Sequence, residues 1–166
     1  GLIDTRTGSG SYVREINPED SLTDLIPLMY IGKPSQMHVF QFREMIDSES
    51  VRIATSTADD KSLQKLEDLL SKMKEASVSD DSRLFSHYDL KFHVTIVGLT
   101  ENPMMIKAYD ILRNVLKESM VSVIEKMKYK PAMEYHRKIY EAMKKRDEVL
   151  AEELMREHIR QNYAYF

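Results

Sequence analysis

The chain has 166 residues, 42% of them apolar and 31% charged, a length that supports one domain with its own hydrophobic core. It contains no cysteine, which excludes disulfides, thiolate nucleophiles and sulfur-ligated metals, so any metal must be bound by histidine and carboxylate groups. A net charge of -3 argues against a polybasic nucleic-acid binder, and no apolar run approaches the roughly 20 residues of a membrane span.

The first residues predict a β-hairpin. A glycine- and serine-rich turn at residues 8–11 separates two short apolar stretches, Leu2-Ile3 and Tyr12-Val13. Two short strands alone cannot bury a face, so we expect residues 1–16 to be the remnant of a larger unit and the chain to be a fragment of a longer protein. Residues 17–34 are expected to form a linker with a short helix at 21–31.

From residue 35 onward, apolar residues recur every three or four positions, a pattern that predicts helices. Caps, prolines and short polar breaks divide this region into six predicted helices, at residues 35–57, 59–76, 80–100, 103–129, 131–146 and 147–163. Short loops favour antiparallel neighbours. The sequence therefore predicts an all-α fold, an antiparallel bundle of six to seven helices over residues 35–166, preceded by the hairpin remnant.

Several polar side chains fall on the inner faces of these helices. Asp89 and His93 are four residues apart and border an apolar stripe, whereas His87 points elsewhere. His136 and His158 lie on the apolar faces of the last two helices. Each is about ten residues from the predicted turn at 146–147, roughly 15 Å along its helix, so an antiparallel hairpin places the two rings at the same height.

This arrangement favours a metal site. A single inward histidine is more often a hydrogen-bonded core residue than a ligand, but three histidines and one carboxylate that can meet reverse that preference. Imidazole nitrogen and carboxylate oxygen suit one divalent ion, with zinc as the first candidate and nickel or manganese as alternatives. Because no lysine or arginine lies one turn from Asp89 on its face, the ion is expected to supply the countercharge.

An arginine interrupts the apolar stripe of the predicted helix 35–57. Arg43 could extend towards solvent or pair with Glu44 or Asp47 of the same helix. Alternatively, its planar guanidinium receives a carboxylate ligand in the bundle interior. No partner on a neighbouring helix is evident, so Arg43 is a candidate effector-binding residue, and a hydroxy- or keto-carboxylate would satisfy both it and the metal.

Five short motifs follow one another along the chain. They are Arg43-Glu44-Met45-Ile46-Asp47, Asp89-Leu90-Lys91-Phe92-His93, Thr100-Glu101-Asn102, His136-Arg137-Lys138-Ile139 and Met155-Arg156-Glu157-His158. In order and spacing, they resemble the R-x-x-L-E, D-x-x-F-H, T-x-N, H-x-x-I and M-x-x-H motifs of the FCD effector-binding domain of GntR-family transcription regulators, in the FadR branch. Residues 1–13 are similar to the wing that ends the winged helix-turn-helix of these proteins.

The resemblance implies a cytoplasmic homodimer whose helical bundle binds a small organic acid and thereby changes the affinity of the full-length protein for operator DNA. It implies metal binding by Asp89, His93, His136 and His158, and effector binding by Arg43 and Asn102. The resemblance implies that this sequence starts at the wing, after the recognition helix. The chain is therefore expected to contact DNA only weakly, through Arg6 and the hairpin tip.

Two other functions are compatible with the pattern. A metal-dependent hydrolytic enzyme is one, since three histidines and a carboxylate with an open coordination position can activate water. No general base is evident beside the cluster, and the absence of Glu-x-x-His and His-Glu-x-x-His disfavours a di-iron bundle and a zincin. A purely structural dimerisation module is the other. We predict a sensor domain and not an enzyme.

Overall fold

The computed structural model describes residues 3–8, 10–13 and 36–165, which belong to two separate units, residues 1–33 and 34–166. In the first unit, strands β1 (Ile3–Arg6) and β2 (Gly10–Val13) form an antiparallel pair, with Ile3 opposite Val13. Gly8 has a φ of 83°, a left-handed conformation that glycine adopts without steric cost. The hairpin prediction is confirmed, and the predicted linker and helix at 21–31 lie outside the described residues.

The second unit is helical. Its six α-helices are α1 (Gln36–Thr57), α2 (Asp60–Val78), α3 (Ser82–Gly98), α4 (Pro103–Met127), α5 (Tyr129–Lys144) and α6 (Glu148–Gln161), followed by a 3₁₀ turn at Asn162–Tyr165. Four helices begin at a side-chain cap, because the carboxylate or amide oxygen of Asp59, Asp81, Asn102 or Asp147 accepts a backbone N–H of the first turn. The predicted all-α bundle is confirmed.

One helix boundary was predicted wrongly. The sequence placed the start of α5 at Pro131, but α4 ends at Met127 and α5 begins at Tyr129. The break is at Lys128, whose φ of 65° interrupts the helical path. Pro131 is the third residue of α5, within the first turn, where a backbone N–H has no intrahelical acceptor and its loss is tolerated.

Helix α1 occupies the middle of the bundle. It packs most extensively against α6 and also contacts α3, α4 and α5, while α2 covers α3 and α5. The core contains fully buried side chains from every helix, among them Phe40, Leu70, Phe92, Leu116, Ile139 and Met155. None of the described helices is long and apolar enough to cross a membrane. The central position of α1 directs its polar inner residues into the interior.

Candidate metal centre

Four buried side chains from three helices meet in the interior of the bundle. They are Asp89 and His93 of α3, His136 of α5 and His158 of α6, and each is at most 1% exposed. Each offers one potential ligand atom, and these atoms all lie within 4.8 Å of one another. The structure thus brings together the four residues that sequence spacing placed on inner faces, and we refer to them as the metal cluster.

The distances within the metal cluster are short. The Nε2 atoms of His93 and His136 are 3.1 Å apart, and His136 Nε2 lies 3.4 Å from Asp89 Oδ1. The His136 and His158 rings have centroids 4.4 Å apart, as expected if α5 and α6 form a hairpin that turns near residue 146. His158 also stacks on His93, with centroids 5.4 Å apart. The two histidines of the hairpin are therefore at the same height.

Burial favours the neutral form of the imidazoles of α5 and α6. Burial lowers the pKa of His136 to about 3, against the raising effect of the Asp89 carboxylate. Burial, together with the nearby His136, His93 and Arg43, lowers the pKa of His158 well below its usual value. A neutral imidazole has a free lone pair on one ring nitrogen, which is the form that binds metals.

Several polar atoms of the metal cluster have no protein partner. Both ring nitrogens of His158 and both carboxylate oxygens of Asp89 make no hydrogen bond within the part of the chain that the structure describes. A buried polar group left in this condition costs about 1–3 kcal/mol, more if it is charged. A divalent ion in the cluster would satisfy one nitrogen of His158 and the carboxylate of Asp89, and three nitrogens with one oxygen form a donor set that zinc, nickel and manganese accept. The residues fit such an ion.

A second carboxylate orients one of the histidines. Asp47 of α1 is fully buried, and its Oδ1 lies 3.3 Å from His93 Nδ1. A carboxylate at Nδ1 favours a proton there, which leaves the lone pair on Nε2, the nitrogen that faces His136. Burial raises the pKa of Asp47, but the adjacent His93 and Arg43 outweigh this effect and the net pKa is lowered. Tyr109 of α4 donates a hydrogen bond of 3.4 Å to Asp47 Oδ2.

Arg43 is also fully buried and lies beside the metal cluster. Its Nε donates to Asp47 Oδ2 at 3.0 Å, its Nη2 is 3.8 Å from Asp89 Oδ2, and its Nη1 is 3.0 Å from Met120 Sδ. No partner on a neighbouring helix was evident from the sequence, but the structure shows two. Asp89 on α3 and Met120 on α4 both contact the guanidinium, so Arg43 supplies part of the countercharge that sequence analysis assigned to the ion alone.

The sequence could not reveal these partners of Arg43 because it does not fix how α1 is aligned against α3. Arg43 meets Asp89 and Asp47 meets His93, so α1 and α3 run parallel with matched four-residue steps at this level. Helical periodicity places Arg43 and Asp47 on one face but says nothing about the opposite helix. The four-residue spacing of Arg43 and Asp47 indicated that the two side chains pair within α1. It did not indicate that Asp47 also contacts His93 on α3.

The remaining candidates lie away from the metal cluster. Asn102 is exposed, and its Oδ1 accepts the backbone N–H groups of Met104 and Met105 as the cap of α4. The structure does not bring it together with Arg43, and its geometry accounts for it as a capping residue. Arg6 belongs to β1, and its side chain is outside the described residues. His87 is exposed, as predicted.

Comparison with known proteins gives the same family as the motifs. Residues 38–161 match the FCD domain. The chain is 21% identical over 165 residues to the HTH-type transcriptional regulator LutR of Bacillus subtilis (strain 168), with 96% of this chain and 74% of the relative covered. It is 23% identical over 168 residues to the Glc operon transcriptional activator of Escherichia coli (strain K12), with 96% and 66% covered.

Solved structures share the fold. Streptococcus agalactiae GntR superimposes with a TM-score of 0.64 at 19% identity, with 96% of this chain and 73% of that chain covered. E. coli McbR/YncC gives a TM-score of 0.70 at 15% identity, with 99% and 72% covered. The chain belongs to the FCD domain family of GntR-type proteins. The chain spans only part of each relative, 74% of LutR and 66% of the Glc operon activator. These relatives indicate a regulatory rather than an enzymatic protein.

Proposed function

We propose that this chain is the effector-binding part of a GntR-type transcription regulator and that it binds one divalent ion and, beside it, a small organic acid. The metal cluster carries the proposal, since it gathers three imidazoles and a carboxylate and several of their polar atoms make no hydrogen bond within the described residues. Asp89, His93, His136 and His158 would hold the ion, with zinc as the first candidate. When bound, the ion supplies a Lewis-acidic anchor for a carboxylate oxygen.

Arg43 supports a carboxylate as the ligand. Its Nη2 makes no hydrogen bond within the described residues, and its Nη1 contacts only the weakly accepting sulfur of Met120. A carboxylate is a much stronger acceptor and matches the planar fork of a guanidinium. Because Arg43 and Asp89 are 3.8 Å apart, an acid bound to the ion would lie within reach of Arg43. Hydroxy- and keto-acids suit this arrangement, since a second oxygen can chelate.

The remaining parts of the proposal concern the whole protein. Its named relatives are transcriptional regulators longer than this chain, which supports DNA binding through a further domain and a wing at residues 1–16. We propose a homodimer in which the bound acid alters the affinity for operator DNA. Neither a role for Asn102 in effector binding nor a hydrolytic activity has a supporting observation in the site, since Asn102 caps α4 and the relatives are regulators.

Thermal-shift titration tests the proposal. A panel of hydroxy- and keto-carboxylates should stabilise metal-loaded protein by about 2.7 kcal/mol at 100 times the dissociation constant, and should do so much less after chelation of the metal. Arg43→Lys keeps the charge but loses the fork, and should weaken binding about tenfold or more. Equal stabilisation of metal-free and metal-loaded protein would mean that the ion has only a structural role.

A further inference from the structure

A small pocket opens between α3 and α4, outside the metal cluster. Its volume is about 110 Å³, and its lining includes Arg83, Ser86, Lys117 and Met120. We call it the outer pocket. It can hold a carboxylate-sized group, and no residue of the metal cluster is among the described residues that line it, so it would act as a second subsite beside the metal cluster.

The rim of the outer pocket is cationic. Arg83 of α3 and Lys117 of α4 are exposed and face it from opposite helices, and no ion pair joins either of them to the part of the chain that the structure describes. His87 lies beside them, and none of the described residues that line the pocket is acidic. Two cations without countercharges around a concave site favour an anionic group.

The wall of the outer pocket contains a buried hydroxyl without a partner. Ser86 is only 4% exposed, and its Oγ makes no hydrogen bond within the described residues. A serine inside a helix usually returns a hydrogen bond to the carbonyl four residues earlier, and this one does not. An unsatisfied buried hydroxyl costs about 1–3 kcal/mol, so an acceptor supplied by a ligand would stabilise it.

The outer pocket adjoins the metal cluster. Ser86 precedes Asp89 by three residues, so the two side chains share one face of α3 about one turn apart. Met120 separates the pocket from Arg43, with its sulfur 3.0 Å from Nη1. Methionine has three rotatable bonds, and its sulfur is a weak acceptor that a carboxylate can displace. Rotation of the Met120 side chain would therefore open a path between the metal cluster and the pocket for a ligand bound at both.

We infer that the outer pocket binds a second anionic group of the effector, which makes the effector a dicarboxylate or an acid of similar double charge. This inference rests on the proposed function, in which the first carboxylate lies at the metal cluster. The expected separation of the two anionic groups is about one helical turn, roughly 5 Å. Ser86 donates to the second group, while Arg83 and Lys117 balance its charge.

Calorimetric titration with two matched ligands tests the inference on the metal-loaded protein at fixed ionic strength. The probes are 2-hydroxyglutarate and 2-hydroxypentanoate, which share the chelating end and the chain length and differ only in the distal carboxylate. Wild type should bind the first about tenfold more tightly, roughly the effect of one charge-assisted hydrogen bond. Lys117→Met and Ser86→Ala should each reduce this ratio to about threefold or less and leave 2-hydroxypentanoate affinity unchanged.

Lys145→Met is the matched control, because it removes an exposed positive charge that does not line the outer pocket and should keep the wild-type ratio. Equal affinity of the two ligands for wild type would overturn the inference and leave the proposed function intact. The same holds if the variants weaken both ligands alike. If neither acid binds but another acid of the panel does, the inference is overturned and the proposed function stands; if no acid of the panel binds, both fail.

Discussion

At the scale of single residues, the metal cluster depends on a carboxylate that does not belong to it. Asp47 contacts His93, Arg43 and Tyr109, so one buried side chain lies against both a candidate metal ligand and the nearest cation. Partners of this kind usually matter almost as much for metal affinity as the ligands themselves. Asp47 is therefore a positioning residue for the metal cluster.

Replacing Asp47 with asparagine should lower metal affinity about 10- to 100-fold, because the neutral amide no longer holds the Nδ1 proton of His93 as strongly. Competition against a chelator of known affinity measures the change. Asp68→Asn is the control, since Asp68 is exposed on α2 and should leave the affinity unaltered. An Asp47→Asn protein with wild-type affinity would show that His93 is oriented by packing alone.

Replacing Arg43 with methionine should destabilise the metal-free protein by about 3–5 kcal/mol, because Asp47 and Asp89 lose their buried cation. Metal should recover part of this loss, since a divalent ion beside Asp89 restores positive charge. Urea unfolding with and without metal measures both quantities. If metal stabilised wild type and variant equally, the idea that both Arg43 and the ion neutralise the Asp89 carboxylate would be wrong.

Sequence periodicity predicted which residues of the site point inward but not which residues they meet. His136 and His158 could be paired because a short turn fixes the register of two consecutive helices. Arg43 and Asp89 could not be paired in this way, because α2 lies between α1 and α3 along the chain. The relative position of α1 and α3 therefore depends on the packing of the entire bundle. Contacts of this kind require the structure.

At the scale of helices, one carboxylate of α1 adds polar contacts to the packing of α1 against α6 and the 3₁₀ turn. Glu44 accepts hydrogen bonds from Arg156 and Arg160 of α6 and from Tyr163 in the 3₁₀ turn. Burial raises the pKa of Glu44, but these donors outweigh it and the net pKa is lowered. The same helix thus binds the C-terminal segment through Glu44 and faces the metal cluster through Arg43 and Asp47.

Glu44→Gln should reduce the free energy of unfolding at pH 7 by about 1–2 kcal/mol, a value discounted because both arginines are partly exposed. A lowered pKa in the folded state means that this stabilisation is present above the usual pKa of 4.5 and is lost as pH falls through the folded-state value. The difference between wild type and variant, measured by urea unfolding, should therefore shrink towards pH 3. An equal difference at both pH values would contradict the assignment.

Helix positions were predictable to within a few residues, because caps such as Asp59, Asp81 and Asp147 stand directly before apolar repeats. The break at Lys128 was not. A lysine with a φ of 65° carries no sequence signal, and the nearby Pro131 suggested a later start for α5. Backbone turns made by residues other than glycine are set by the packing of the helices on either side.

At the scale of the molecule, membership of the FCD family leads us to expect a dimer. Equilibrium sedimentation of this chain at micromolar concentration should give about twice the 19.4 kDa chain mass, with or without metal. A monomer would mean that pairing depends on parts of the protein beyond this chain or on DNA.

We propose that the metal cluster binds one divalent ion, and elemental analysis of purified protein tests this claim most directly. After equilibration with zinc and removal of excess, wild type and His87→Ala should each retain one ion per chain, because His87 is exposed and outside the metal cluster. His136→Ala and His158→Ala should retain little or none. Full occupancy in both cluster variants, or wild-type protein without bound metal, would contradict the claim.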